Sequence, residues 1–254
     1  MQHIHPTAIV HPDAQIGDEA TIGPYCVVGQ HVKIGAGSNL LSHVVVDGHT
    51  TLGAQCRLFP FACIGMQTQD LKYAGGITYA EVGDRTVLRE YCTVHTGTRV
   101  DEVTRIGSDC LIMAYCHVAH GCKVGNEVIM SNCAQLAGEV IVEDRAIVGG
   151  LSGVHQFCRI GTLCMIGAAG KVRQDAPPYM IVDGDNVVGP NIVGLQRRGV
   201  PSEVRSTLKE AYRLIYREGL NRSQALDRIV LELPDIPEIR HLVEFYRKSS
   251  RGVL

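Results

Sequence analysis

The feature that most constrains this chain is a six-residue phase. Stepping by six from Ile4 meets Val10, Ile16, Ile22, Val28, Ile34, Leu40, Val46, Leu52, Leu58 and Ile64, and the phase resumes at Val82 and runs to Val172. Of the 27 positions in phase, 26 carry Ile, Leu or Val and one carries Met130. Hydrophobic residues of every kind make up only 45% of the chain, so chance does not produce this run. Asp70 and Gly76 alone break it. Self-similarity at a fixed period marks a repeat architecture.

Two further columns define the unit. The residue after the aliphatic is often glycine (Gly17, Gly23, Gly35, Gly53, Gly107, Gly125), which suggests a turn with unusual dihedrals there. Four residues after the aliphatic comes a small side chain, such as Ala14, Ala20, Cys26, Ser38, Cys92 or Ala134. One large and one small inward position per six residues describe a short strand and a corner. Three such units close a triangular turn of 18 residues, stacked on the next at about 4.8 Å. The small column also absorbs the cysteines: eight of the ten (26, 56, 92, 110, 116, 122, 158, 164) occupy it. There Cys acts as a small hydrophobe rather than a metal ligand. Cys110, Cys116 and Cys122 fall on different faces, unlike the close pairs of a zinc site.

One stretch interrupts the pattern. Residues 66–80 carry Gln67, Gln69, Asp70, Lys72 and Tyr73 with no aliphatic in phase. A weaker anomaly spans 100–105, where Val100 and Thr104 keep phase while Asp101, Glu102 and Arg105 crowd the corner with charge. Polar excursions from a strict solenoid are natural places for binding residues. After Pro177-Pro178 the period changes. Helical spacing predicts helices over 201–218, 223–233 and 237–249, which cap the open edge of the solenoid. The expected domains are therefore 1–183 and 184–254.

Net charge is −2, with no global pull toward nucleic acid or anionic membrane. No apolar run approaches the roughly 20 residues of a membrane span. The first residues lack the basic and apolar regions of a signal peptide, so the expected location is the cytoplasm.

The 18-residue turn places His120, Gly138 and Gln156 in one column, Glu139 above Gly121, and His117 beneath Gln135. A glycine stacked on a histidine leaves room above the imidazole and presents bare backbone. That arrangement suits a general base beside an N–H donor for an oxyanion. The competing reading is a polar face with no joint role.

Several strings carry a resemblance: Gln69-Asp-Leu-Lys-Tyr-Ala-Gly, His117-Val-Ala-His120, Leu136-Ala-Gly138, Val154-His-Gln-Phe-Cys, Gln174-Asp-Ala-Pro-Pro-Tyr and Asn191-Ile-Val-Gly-Leu-Gln-Arg-Arg-Gly. Together they resemble the acyl-[acyl-carrier-protein]–UDP-N-acetylglucosamine O-acyltransferases, which open lipid A biosynthesis, over the whole chain. The resemblance implies a left-handed parallel β-helix with a small C-terminal α-helical domain, a homotrimer with sites between subunits, and no metal or cofactor. It implies transfer of a 3-hydroxyacyl chain from acyl carrier protein to the sugar 3-hydroxyl, with His120 as base and the Gly138 N–H on the oxyanion. Asp70, Lys72 and His117 would contact sugar, phosphates or acyl chain, with His155 and Gln156 lining the cleft. Asn191, Arg197 and Arg198 would hold the nucleotide and its diphosphate, and Ala168 would sit at the acyl-length ruler.

The sequence departs from the family where Gly121 follows the histidine in place of the usual Asp, and where Glu139 replaces a common histidine. Stacked above Gly121, Glu139 is expected to supply the missing carboxylate. Val193 replaces an acidic residue found at some nucleotide contacts. Three other readings compete. One is transfer to a 3-amino UDP-sugar. Another is a carbonic-anhydrase-type metallo-lyase using His95, His117 and His120. The third is a structural or ice-binding solenoid, disfavoured by the varied outward positions. The N-acyltransferase later in the pathway carries an extra N-terminal domain, for which repeats starting at Ile4 leave no room.

Overall fold

The computed structural model describes residues 2–254. The in-phase aliphatics fall on short strands, each the second residue of a pair such as Thr21–Ile22, Val27–Val28 and Lys33–Ile34. A two-residue strand has one side chain in and one out, so Ile22, Val28 and Ile34 are buried. Strands three apart in the chain pair in parallel and build three long sheets, one per face of a triangular prism. The protein is a left-handed parallel β-helix with a small C-terminal helical part.

Side chains stack between coils as the strands do. At the corner between the first and second faces, the rings of Tyr25, His43, Phe61, Tyr91 and Tyr115 lie 5.0, 5.0, 4.9 and 4.8 Å apart. These distances match the spacing of adjacent strands. Inside, the eight cysteines of the small column are fully buried and free, whereas Cys63 and Cys133 are half-buried. The thiols donate to carbonyls of the coil above, as Cys26 does to Leu41 at 2.8 Å and Cys122 to Ala137 at 3.1 Å. Burial pushes Cys92 and Cys122 up to about 12.

Apart from Gly65, which takes φ +82°, the glycines after the aliphatics serve a different purpose from the expected one. Of Gly17, Gly23, Gly35 and Gly53, none has a left-handed backbone; a Cβ on them would lie 2.3–2.6 Å from the corner of the next coil. They permit close approach of backbones. The left-handed residue comes two places later and is usually not glycine, as at Glu19, Tyr25, Gln55, Arg85, Tyr115 and Glu139.

Register also differs in part. Residues 18 apart pair through most of the solenoid, as in His117↔Gln135 and Gln135↔Gly153. Across the 66–80 excursion the pairing is Arg57↔Val87, and across the second it is Val87↔Leu111. Val100 belongs to no coil. It is 63% exposed in a turn, and the strand resumes at Val103–Ile106. The charged anomaly at 100–105 is therefore part of a true excursion, six residues longer than an ordinary corner.

After the last coil, Met180–Asp183 adds to the first sheet and Asn186–Pro190 turns back against it antiparallel, closing that edge. Four helices follow: α1 (Ile192–Arg197), α2 (Ser202–Tyr216), α3 (Arg222–Glu232) and α4 (Pro237–Arg247). The sequence signals for α2, α3 and α4 are those of helix punctuation. Asn221 and Gln224 form a capping box, Pro237 opens α4, and Gly219 takes φ +70° beyond α2. The short α1 and the closing hairpin lay unread in the mixed 184–199 stretch. Polar contacts dock α4 on the solenoid. Glu143 holds His241 at 2.9 Å, Tyr179 meets the other ring nitrogen at 2.9 Å, and Arg159 lies 4.1 Å over the Phe245 ring. No helix among the described residues is long and apolar enough to cross a membrane.

Candidate active site

Both excursions leave the corner between the second and third faces, the corner that also carries His120, Gly138 and Gln156. The first walls a cavity of about 360 Å³ lined by Thr68, Gln69, Asp70, Lys72, His95, His117, Ala119, His120 and Gln156. His117 also opens onto a groove of about 450 Å³ running up the second face past Gln135, Gly153, His155, Lys171 and Arg173.

Gly138 lies directly on the His120 ring. A Cβ there would sit 2.3 Å from both Nε2 and Cε1, so only glycine leaves the imidazole its place. The Gly138 N–H donates to no acceptor among the described residues. On the corner between the third and first faces, side-chain oxygens of a neighbouring coil cap the equivalent N–H of Ala54, Ser108, Asn126 and Thr162. On the corner of His120, Gly138 and Gln156 it is left uncapped among the described residues.

Asp70 comes to 3.6 Å from His120 Nε2. The Lys72 N–H on its Oδ1 at 3.0 Å holds the carboxyl below the usual range, aided by the Thr98 hydroxyl at 3.2 Å and the charges of His120 and Lys72. It is an anion throughout the neutral range. His117 shares its Nδ1 with the Thr93 hydroxyl at 2.7 Å. Burial, with His95 and His120 nearby, drives it down to about 4. Burial and the neighbouring His120 also lower His95. These two imidazoles are therefore neutral at pH 7.

Other expected residues are placed differently. Glu139 stacks over Gly121, but its carboxylate pairs with Arg99 at 3.0 Å and makes no bond to His120. Its main-chain N–H instead donates to the His120 carbonyl at 2.9 Å. Asn191 is buried: its amide donates to the Leu163 carbonyl at 2.9 Å and caps Gly194 of α1 at 3.0 Å. Each of these bonds uses one of the amide's N–H groups or oxygen lone pairs and leaves the other available. Arg198 pairs with Glu127 at the corner between the third and first faces, and Arg197 is exposed beside it. Within one chain these arginines do not reach the His120 cavity. Ala168 is exposed at yet another corner, outside the lining of the groove. His155 lines the groove, where Arg251 Nη2 lies 3.1 Å from its Nδ1.

Thr68 lines the cavity, Thr98 bonds Asp70, and Glu102 pairs with Arg99 beside Gly121, contacts that the sequence analysis did not name. The charge at 100–105 was the available signal. His95 and His117 meet edge to face with ring centres 4.8 Å apart. Among the described residues no three His, Cys, Asp or Glu side chains converge as metal ligands within one chain.

Residues 104–138 match the bacterial transferase hexapeptide model, which places the chain in the class of hexapeptide-repeat transferases. Residues 175–254 match the model of UDP-N-acetylglucosamine O-acyltransferase, domain 2. LpxA from Acinetobacter baumannii is 43% identical over 99% of both chains, with a TM-score of 0.95. The UDP-N-acetylglucosamine O-acyltransferase of Moraxella catarrhalis is 42% identical over 98% of both chains, with a TM-score of 0.94. The Francisella novicida UDP-N-acetylglucosamine acyltransferase is 37% identical over 99% of this chain and 93% of its own, with a TM-score of 0.93. The chain belongs to the UDP-N-acetylglucosamine O-acyltransferase family.

Proposed function

We propose that the protein transfers a 3-hydroxyacyl chain from acyl carrier protein to the 3-hydroxyl of UDP-N-acetylglucosamine, the first step of lipid A biosynthesis. The observation that carries this reading is the bare Gly138 with its uncapped N–H against the His120 imidazole. His120 Nε2 takes the proton of the sugar hydroxyl as that oxygen bonds to the thioester carbon. The oxygen of the tetrahedral intermediate accepts from the Gly138 N–H. The C–S bond then breaks, and the leaving thiolate recovers the proton from His120, so no cofactor enters the balance.

Asp70, anionic at 3.6 Å from the base, and the exposed Lys72 beside it are suited to a sugar hydroxyl and a phosphate. Neutral His117 faces the groove, which takes the acyl chain past Gln135 and Gly153 toward the coil of Ala168. His155 lines the groove and Gln156 the cavity beside it. Arg197 and Arg198 serve the nucleotide diphosphate of a neighbouring subunit's site. Their distance from the His120 corner of their own chain supports a homotrimer with shared sites, working in the cytoplasm. In this reading 1–183 carries the chemistry and 184–254 supplies the arginines.

The test is an acyl-transfer assay offering UDP-N-acetylglucosamine and its 3-amino analogue, each with 3-hydroxyacyl carrier proteins of several lengths. Product with the hydroxyl acceptor, abolished by His120→Ala, is expected. No transfer to either acceptor defeats the reading, and transfer to the amine alone would reassign the acceptor.

A further inference from the structure

We propose that Glu102, on the second excursion, is a positioning residue for His120: its carboxylate fills the volume that a side chain on residue 121 would occupy. The inference rests on the reading of His120 as the base. Gly121 has φ +65°, and an ideal Cβ on it would lie 3.2 Å from Cδ and Oε1 of Glu102 and 3.0 Å from Cγ of Glu139. Two acidic side chains from separate elements thus converge on one bare backbone position. Arg99 makes this tolerable, meeting Glu102 at 2.6 Å and Glu139 at 3.0 Å. The side chains are 10% exposed for Glu102, 30% for Glu139 and 68% for Arg99, so Glu102 is the buried end of the network. A buried carboxylate is costly unless its oxygens are satisfied. The second oxygen of Glu102 accepts from the Thr98 N–H at 2.5 Å.

The second excursion and the strand that follows it bond to the neighbours of the imidazole on two sides. Thr98 donates its hydroxyl to Asp70 Oδ2, the oxygen that lies 3.6 Å from His120 Nε2. Thr104 accepts the Gly121 N–H at 2.9 Å. His120 Nδ1 is buried without a hydrogen-bond partner, so no direct bond fixes the ring. Its orientation depends on packing and on the field of the groups around it. Those charged or titratable groups are Asp70 and Lys72 from the first excursion, His95 from the coil below, His117 from its own coil, Arg99 and Glu102 from the second excursion, and Glu139 above. Of the carboxylates over Gly121, Glu102 is the one shielded from water, where a charge acts most strongly.

The experiment measures kcat, KM and the pH profile of kcat/KM for the full chain and three variants. Glu102→Gln keeps the shape and removes the charge. It is expected to lower kcat at least threefold and move the acidic limb to lower pH, because Arg99 is left less compensated near the forming imidazolium. Glu102→Ala is expected to lose tenfold or more in kcat with KM for the sugar nucleotide little changed. Adding Gly121→Asp to Glu102→Ala returns a carboxylate to the same space and should restore at least a third of the wild-type kcat. A folded Glu102→Gln protein with kcat within twofold and an unmoved acidic limb overturns the inference, whatever the alanine variant does to the loop. Restoration absent in a double variant that melts like wild type overturns it as well. Loss of wild-type transfer, or its indifference to His120→Ala, would instead sink the parent reading.

Discussion

Gly138→Ala adds a single methyl at a point 2.3 Å from Nε2 and Cε1 of His120. Non-bonded carbon contacts settle at about 3.5–4.0 Å, so the imidazole must retreat by more than about 1 Å. The backbone does not resist, because Gly138 is outside the left-handed region that penalises alanine. The cost therefore falls on the base. A misplacement of about 1 Å can reduce a rate about 10²-fold, and misalignment of one oxyanion donor costs about 10²–10³-fold. Both losses arise from the same movement and overlap, so kcat should fall about 10²–10³-fold. Overpacking a well-filled site costs about 1–3 kcal/mol, and at roughly 2–4 °C per kcal/mol for a chain of this size the melting temperature should drop by only several degrees. Steady-state transfer with both substrates saturating, beside a thermal melt, separates the two effects. A kcat within threefold of wild type, or a change in KM alone, would show that the glycine merely opens space and that His120 is not fixed where the chemistry needs it.

Two other expectations rest on burial. His117 stands at about 4 against an ordinary 6.5, so between those pH values the unfolded chain binds a proton that the native chain refuses. Its contribution to stability is full above 6.5 and is lost as the pH falls toward 4, about 3 kcal/mol at about 1.36 kcal/mol per pH unit. Urea unfolding at pH 7 and 4.5 should show a smaller loss for His117→Gln than for wild type; equal losses would contradict the assigned cause. For the thiols, native protein should react with a disulfide reagent at no more than the two half-buried cysteines, Cys63 and Cys133, and at all ten after denaturation. Rapid modification of more than two in the native state would mean the interior column opens.

The solenoid was legible because its physics is local and repeated. One inward aliphatic and one small inward residue per six are imposed by packing on the coils above and below, so every coil restates the rule. The same economy hid the second excursion. An inserted stretch of six keeps the phase, and Val100 therefore mimics a coil residue while standing exposed in a turn. Phase alone cannot distinguish a coil from an excursion of the same length; the charges of Arg99, Asp101 and Glu102 were the only sign. The left-handed corner residues were unreadable for the opposite reason. Residues such as Tyr115 and Glu139 adopt that backbone against their own preference, at about 1–3 kcal/mol each, because the ladders on both sides over-determine the corner.

The site divides along the same line. The stacking of Gly138 on His120 and of Glu139 on Gly121 followed from the 18-residue turn, since all four lie above the second excursion where that register holds. What the turn could not supply was the direction of a charged side chain. Glu139 pairs with Arg99, which an excursion outside the repeat delivers. The repeat sets which residues are neighbours, and the breaks in the repeat decide which of those neighbours interact. In the proposed mechanism two of the carboxylates around His120, Asp70 and Glu102, come from the breaks.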